Sequence, residues 1–287
     1  MPDQTDSIDA IDGQPTLVYI SDIHGYYADA QSALMTLADT EAYEPIVTLD
    51  ESGTLHWADN DYVLVFNGDV IDRGPANDTC LELVWRLIKE APAGRVQYHL
   101  GNHEMAILLP MLVNWPDTYS TGLSDDRRRK FLQRIIDGDV TAAYEGHRHT
   151  ISHAGSNEAI DASTVNDSLQ EAAETLQAAI GDKHEPRVQQ RVADQYDRLF
   201  ELGENGGRGP SAGLCWLDFA HLDRSAPPQL VGHTMHHNPV RSGNVICGNV
   251  IRMNQGSPHG EGILLETTET VTFVQRLADG SVAAKDV

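Results

Sequence analysis

Tyr62-Val63-Leu64-Val65-Phe66-Asn67-Gly68-Asp69-Val70-Ile71-Asp72-Arg73-Gly74 is the stretch on which the fold turns. Its first five residues form an unbroken apolar run rich in β-branched and aromatic side chains. A run that short, closed by Asn-Gly, reads as a strand buried on both faces. Gly-Asp-x-x-Asp-Arg-Gly follows within a single turn. Beyond it, Leu81, Val84, Trp85 and Ile88 mark an amphipathic helix, with Pro75 and Asn77 near its start. The unit is strand, polar turn, helix. Taken alone, the turn could be an acidic helix start in which Asp72 merely complements the dipole.

The same unit recurs on either side. Leu17-Val18-Tyr19-Ile20 is a short apolar run ending in Ser21-Asp22-Ile23-His24-Gly25, after which Ala30, Ala33, Leu34 and Leu37 keep helical spacing. Val96 to Leu100 is a third strand, ending in Gly101-Asn102-His103-Glu104, with a helix beginning near Glu104. Strand–helix repetition of this kind argues for an α/β sheet. Ligands of such sheets bind beyond the carboxyl ends of the strands, so the polar clusters should converge. Two more clusters come later, Ile151-Ser152-His153-Ala154-Gly155 and Val231-Gly232-His233-Thr234. An Asp-x-His string by itself carries little. Five clusters in order, each at a strand end, carry a great deal.

Between the units, Ile46–Leu49 and Thr54–Trp57 flank Asp50-Glu51-Ser52-Gly53 as a surface hairpin. The middle of the chain is charged and helical over 124–137 and 166–202, with Val188, Val192, Tyr196 and Leu199 on one face; a helical cap over about 110–205 is expected. Strand patterns return at Leu230-Val231, Asn244 to Met253, Gly262 to Glu266 and Thr270 to Gln275, the last two alternating as an antiparallel pair does. The domain organisation expected is an acidic, flexible tail over 1–15, one domain over 16–276, and a second tail over 277–287.

Composition narrows the function. The 287 residues carry 43 acidic and 20 basic side chains, a net charge of -23, and the only lysines are Lys89, Lys130, Lys183 and Lys285. Nucleic-acid polymers are bound through clustered Lys and Arg, so this balance argues against them as partners. Self-repulsion of this size is screened by salt, which points to a salt-loving host. The longest apolar run, Met105 to Val113, is broken by Pro110 and falls short of the about 18 residues a membrane-spanning helix needs, so no membrane partner is expected. The first 15 residues lack the pattern of a secretory signal. Cys80, Cys215 and Cys247 are widely separated and read as reduced thiols in a cytoplasmic protein.

The order Asp-x-His, Gly-Asp-x-x-Asp-Arg-Gly, Gly-Asn-His-Glu, His-Ala-Gly and Gly-His-Thr, spanning residues 17 to about 234, resembles the calcineurin-like metallophosphoesterases. Within them it looks like the phosphoprotein-phosphatase branch, which includes diadenosine tetraphosphatase and the bacterial and archaeal Ser/Thr phosphatases. The resemblance implies an αββα two-sheet sandwich with metals at the strand ends. It implies that Asp22 and His24 hold one metal, that Asp69 bridges two, and that Asn102, His153 and His233 complete the second. Carboxylate and imidazole ligands suit Mn²⁺ best, with Fe or Zn²⁺ as alternatives. Two such ions can share a hydroxide for in-line attack on phosphorus. Arg73 offers a planar cationic fork to phosphate oxygens. His103 is the expected general acid, with Asp72 orienting its imidazole. Asn102 and His103 are also expected to face the substrate. No Ser or Cys nucleophile is needed, so direct attack without a phosphoenzyme is expected.

Several assignments stay open. His147 and His149 lie close to His153, which is preferred because it ends a strand before Ala154-Gly155. His236 and His237 follow the Gly-His-Thr turn, a position equally compatible with approach to the substrate and with a solvent-facing loop. Related sequences often carry a phosphate-binding arginine just after the tryptophan corresponding to Trp216, but Leu217-Asp218 stands here, and Arg208 in Gly206-Gly207-Arg208-Gly209 is the candidate instead. The gap from Asp22 to Asp69 is lengthened by an acidic hairpin around Asp50 to Asp61, either a lid or a salt-adapted insertion. The activity expected is hydrolysis of phosphate monoesters on a phosphorylated protein or small phosphate. A dinucleoside polyphosphate is the alternative substrate, and a non-catalytic metal-binding scaffold the alternative class. The number of subunits is left open.

Overall fold

The computed structural model describes residues 8–204, 209–257 and 260–287. Its centre is three parallel strands laid side by side: β1 (Leu17–Ile20), β4 (Val63–Phe66) and β5 (Val96–Tyr98). β4 lies between the other two, with Val18 opposite Leu64 and Leu64 opposite Val96. Every residue of the three is buried, as their continuous apolar runs require. On the far side of β1 the sheet continues antiparallel through β11 (Gly262–Glu266), β12 (Val271–Arg276) and β13 (Val282–Asp286), in the order β13-β12-β11-β1-β4-β5.

A second sheet has the order β6-β7-β8-β10-β9, from β6 (Ala143–Glu145), β7 (Thr150–Ser152), β8 (Gln229–Val231), β9 (Val240–Ser242) and β10 (Val245–Cys247). Its middle three strands, β7, β8 and β10, are again parallel. Strand period two divides the core. Leu17, Tyr19, Val63 and Val65 meet Tyr144, Ile151, Leu230 and Ile246 of the second sheet. Val18, Ile20, Leu64 and Phe66 face the opposite way into the larger cluster. That cluster takes Ala30, Ala33 and Leu34 from α1 (Tyr27–Met35) and Leu83, Val84 and Leu87 from α2 (Asn77–Glu90). The outer face of the second sheet, Val231, Val245 and Cys247, is covered by Leu217, Leu222 and Ala226. The result is an α/β sandwich of two sheets whose parallel strands deliver their loops to common ground.

The hairpin expected over 46–57 is β2 (Val47–Leu49) paired with β3 (Leu55–Trp57). Its turn is closed by the Asp50 carboxylate, which accepts from Ser52 N and Thr54 N, each at 2.8 Å. Among the described residues, no helix is long and apolar enough to cross a membrane.

Four sequence readings need correction. Residues 277–287 are not a tail, because Asp279-Gly280, with Gly280 at φ 83°, turns the chain back and β13 pairs along the free edge of β12. That Asp-Gly pair is a hairpin signal. Of the N-terminal segment 1–15, residues 1–7 lie outside the described residues, but Asp9 and Ile11 bond the backbone of Glu145 at the edge of β6. The helical pattern over 166–202 is three helices, α6 (Ala162–Ala179), α7 (Glu185–Gln195) and α8 (Asp197–Phe200), with Gly181 at φ 81° in the first break. The cap over 110–205 is therefore no single insertion. α3 (Asn102–Leu108), α4 (Pro110–Val113) and α5 (Asp125–Ile136) come before β6 and β7, and α6 to α8 after them. Lastly, the strand expected over Asn244 to Met253 stops at Cys247, and Ile251–Asn254 forms a one-turn helix, α9.

Candidate metal centre and its catalytic surroundings

The polar clusters gather where the parallel strands end, and the backbone there is bent into an unfavourable region. Among the described residues, nine non-glycine residues have positive φ, and six of them are Asp22 (57°), His24 (51°), Asp69 (52°), Asp72 (70°), Arg73 (70°) and His233 (60°). Left-handed backbone costs a residue with a Cβ roughly 1–3 kcal/mol, and it persists where surrounding bonds over-determine it. Those bonds run between the first two loops: Asp22 N to Gly68 O (3.1 Å), His24 N to Asp69 O (2.8 Å), Gly25 N to Val70 O (2.8 Å) and Gly74 N to His24 O (2.7 Å). Gly68, at φ 77°, is required by space as well as conformation. A Cβ there would stand 2.6 Å from His153 Nδ1 and 2.8 Å from the Gly101 backbone.

Glu104 holds the second and third loops together. Its buried carboxylate accepts from Asp69 N (2.8 Å), Val70 N (2.9 Å), the Tyr98 hydroxyl (2.9 Å) and Gly101 N (3.0 Å). Burial raises its pKa, but donors on both oxygens favour the charged form. Asn67 does the same job between the sheets. Its side-chain amide donates to Ser152 O (2.9 Å) and the Tyr19 hydroxyl (3.0 Å), and its backbone carbonyl accepts from His153 Nδ1 (2.9 Å).

The inward groups are all of metal-ligating type. His24 has its Nδ1 on Ile71 O (3.1 Å), which turns Nε2 toward Asp69 Oδ2 (3.5 Å) and Asp22 Oδ1 (3.8 Å). His153 has Nδ1 on a carbonyl in the same manner, and its Nε2 faces Asp69 Oδ2 (3.5 Å) and Asn102 Oδ1 (3.2 Å). His233 Nδ1 lies 3.0 Å from that Asn102 oxygen. Pinning one ring nitrogen to a carbonyl fixes the tautomer and frees the other for a metal. Asp22 Oδ2 accepts from Ser21 Oγ and from His233 N (3.1 Å), whereas its Oδ1 is buried with no hydrogen-bond donor. Such an atom is costly unless a cation satisfies it.

Two sets of ligand atoms each lie within 4.8 Å of one another: His24, Asp69 and His103, and Asp69, His153 and His233. Asp69 belongs to both, the position of a bridge. His103 enters the first set, but its Nδ1 is committed to Asp72 at 2.6 Å. Asp22 stands beside that set with an unused oxygen aimed at the same space. Oxygen and imidazole donors in this number fit a pair of divalent transition-metal cations. Electrostatics agrees. Burial pushes the Asp22 carboxyl up to about 7, against the pull of His153 and with the push of Asp69. Burial works against Asp69 too, yet His153, His103 and His24 hold it well below the usual carboxylate range. His153 is lifted to about 10 despite burial, by the charges of Asp69 and Asp22. Two buried carboxylates this close call for positive charge.

Beside the ligand-type groups stands a buried imidazole–carboxylate pair. The Asp72 carboxylate bonds His103 Nδ1 and is itself gripped by Ser120, whose backbone N–H donates to Oδ1 (2.9 Å) and whose hydroxyl donates to Oδ2 (2.6 Å). The His103 ring sits edge-on to His24 (4.7 Å) and against Trp115 (4.6 Å). Arg73 is exposed, with its guanidinium carbon 6.0 Å from the Trp115 ring. Trp216 stands 5.5 Å from Trp115 and 6.3 Å from the His233 ring, its Nε1 turned to Met105.

Asp22, His24, Asp69, Asp72, Asn102, His103, His153 and His233 thus come together, with Arg73 at the edge. Arg208 lies outside the described residues. His149 is instead paired with buried Glu266 at 2.5 Å, and His147 reaches Pro15 O, so both tie the N-terminal region and second sheet to β11. His236 meets Phe219 edge-on and His237 bonds Asn254. The sequence reading missed Glu104, Asn67, Ser120 and Trp115. Glu104 had a signal, since it is the third helical residue after Gly101, where an acid reaches back to the cap. Ser120 had none; it lies 48 residues from Asp72.

Fold and site together define a metal-dependent hydrolase of phosphate esters. The chain belongs to the calcineurin-like phosphoesterase family, whose model matches residues 15–260. The family implies a dinuclear divalent-metal cofactor, and the ligand sets above supply residues for it. Among solved structures, the chain is similar to a mutant cold-active protein tyrosine phosphatase, with 18% identity and a TM-score of 0.62 over 96% of this chain and 82% of that one. It is also similar to the cold-active protein-tyrosine phosphatase of a psychrophile, Shewanella sp., with 19% identity and a TM-score of 0.57 over 96% and 82% of the two chains. A third similar structure is a putative diadenosine tetraphosphatase, at 13% identity and a TM-score of 0.45 over 97% and 96%. No curated protein matches the chain.

Proposed function

We propose that the protein hydrolyses phosphate monoesters of poor leaving groups, the chemistry of phosphoserine and phosphothreonine. Asp22, His24 and Asp69 would hold one cation, and Asp69, Asn102, His153 and His233 the other, with manganese the metal best suited to both. When bound, the pair supplies Lewis acidity to the phosphoryl group and to the attacking water. Arg73 orients the phosphoryl oxygens from the open side. His103 donates a proton to the departing oxygen, and Asp72, braced by Ser120, keeps the imidazole aimed.

The observation that carries this reading is the His103–Asp72–Ser120 relay beside the ligand sets. An alkoxide leaves only if protonated, whereas the phosphate chain expelled from a dinucleoside polyphosphate is stable as an anion. A built proton donor therefore favours alkyl esters. Hydrolysis of a dinucleoside polyphosphate is a second reading, favoured by Trp115, a half-buried ring beside His103 on which a base could stack.

The test is turnover of a phosphoserine peptide, an aryl phosphate and diadenosine tetraphosphate by the metal-reconstituted chain and by His103→Ala. Loss of roughly 100–10,000-fold on the peptide, with a much smaller loss on the aryl ester, is expected. Equal losses on all three substrates, or turnover of the dinucleotide alone, would reject the monoester reading.

A further inference from the structure

β7, β8 and β10 run parallel, with Thr150 opposite Gln229 and Gln229 opposite Val245, so their amino ends are aligned. The residues just before them, His149, Pro228 and Asn244, lie side by side at the edge opposite His153 and His233. Strand period two puts all three on one face. His149 is two residues before Ile151, Pro228 two before Leu230 and Asn244 two before Ile246, and those apolar residues meet the first sheet. Arg241, on the edge strand β9, is opposite Ile246 and shares that face. With Arg148, these four residues line a cavity of about 120 Å³. Clefts for drug-sized ligands start near roughly 300 Å³, so this one admits a single small group.

The lining is cationic in a strongly acidic molecule. Of the chain's 43 acidic side chains, none among the described residues pairs with Arg148 or Arg241. Other arginines at the surface find one: Arg95 has Asp61 at 2.8 Å and Arg134 has Asp139 at 2.6 Å. Arg148 spends one guanidinium nitrogen on Glu269 O, and Asn244 Nδ2 donates to Ala226 O at 3.1 Å with a second amide proton to spare. His149 decides what the cavity is for. The residue is only 6% exposed, and its Nδ1 is held by Glu266 Oε1 at 2.5 Å. Glu266 is itself buried and also accepts from His147 N at 3.0 Å, so the ring is fixed. Nε2 bonds no protein group, yet it is not sealed from solvent, and the cavity is what it opens onto. A polar atom so nearly withdrawn from water is costly unless a ligand or water meets it.

We propose that this cavity is a second anion site, separate from the metal centre, for one doubly charged tetrahedral oxyanion such as phosphate. Arg148 and Arg241 each offer charge-assisted donors, Asn244 an amide proton, and His149 Nε2 one further bond. A phosphate that carries a proton can donate it to that nitrogen; a protonated ring donates to the anion instead. The two guanidiniums share one small space without a carboxylate, and an anion placed there turns their repulsion into attraction. Two positive charges match two negative ones. The site stands whether or not the metal centre acts on phosphate esters.

The test is ¹H–¹⁵N NMR of the full chain loaded with diamagnetic zinc, titrated with sodium phosphate, sodium sulfate or sodium chloride at matched ionic strength. Saturable shifts of the His149 ring and the Asn244 side-chain amide are expected with phosphate, at a Kd on the order of 1 mM. Chloride should leave both signals unmoved. Arg241→Met should weaken phosphate binding about tenfold or more and Arg241→Lys less, with melting temperature and aryl phosphate turnover unchanged. Methionine keeps an apolar stem and removes only the charge and donors. Shifts that never saturate, that chloride reproduces, or that keep their Kd within twofold in R241M would overturn the assignment. Saturable binding of phosphate with sulfate silent supports it and puts a shared proton at His149 Nε2, whereas equal binding of both supports a site that reads charge and shape alone.

Discussion

At the floor of the site, each group is bonded to a neighbour that is itself bonded: Asp69 to Glu104, His24 to Ile71, His153 to Asn67, all buried. At the rim, Arg73 is exposed, Trp115 is half-buried, and the nearest bracing comes from Ser120 in the stretch between α4 and α5. The contrast follows from what each part must do. Ligands for fixed ions must not move, so strained backbone and shared hydrogen bonds are tolerated there. Groups that meet a substrate arriving from water must stay accessible. Stability and catalysis should therefore respond differently to changes in the two parts.

The largest separation is expected from Asp69→Asn. It removes the carboxylate common to both ligand sets, and turnover should fall to the uncatalysed background. Wild type should melt several degrees higher with saturating manganese than after chelation, because a ligand present at 100 times its Kd contributes about 2.7 kcal/mol. Asp69→Asn should lose most of that increment, which differential scanning calorimetry would read. Equal metal-induced shifts in both proteins would break the idea of a shared ligand.

Glu104→Gln is the next probe, aimed at the floor but not at a ligand. It places amide protons against backbone donors and should cost about 1–3 kcal/mol, a drop of several degrees in melting temperature. Metal affinity should weaken roughly 10–100-fold through the displaced Asp69 loop. If kcat falls while stability and metal affinity hold, Glu104 belongs to the chemistry and not to the scaffold.

Ser120→Ala probes the rim. It leaves Asp72 the Ser120 backbone donor and His103, so a loss of about tenfold or less in kcat on alkyl esters is expected, with a melting change near 1 kcal/mol. Stopped-flow kinetics on alkyl and aryl substrates would show whether the loss tracks the leaving group. A uniform loss would place Ser120 outside the relay.

The smallest effect at the site, though not for the whole chain, should come from salt. We propose that the net charge of -23 is tolerated through screening, so the melting temperature should rise between low and molar KCl while relative activities of floor and rim variants keep their order. A flat or falling curve would reject that reading of the composition.

The ligand-type side chains of the floor were legible because each follows a short apolar strand within four residues, and strand ends of parallel sheets converge by topology. Gly-Asp-x-x-Asp-Arg-Gly after Val63–Phe66 is the plainest case. The rim was not legible, since Ser120 and Trp115 reach it from segments with no period or motif of their own. The turn of α9 was hidden too, by the strand expected over Asn244 to Met253, which in fact ends at Cys247. The same limit applies to β13: an Asp-Gly turn was present, but the run Val282–Asp286 is too polar to announce a strand until β12 offers it an edge. Tertiary partners decide such segments, and a single sequence does not display them.

The most direct test of the central claim is anomalous diffraction from crystals of the manganese-loaded chain, paired with elemental analysis of the same protein. Two cations per chain are expected, one contacted by Asp22, His24 and Asp69, the other by Asp69, Asn102, His153 and His233. Peaks elsewhere, or a single ion with Asp69 turned away from it, would contradict it.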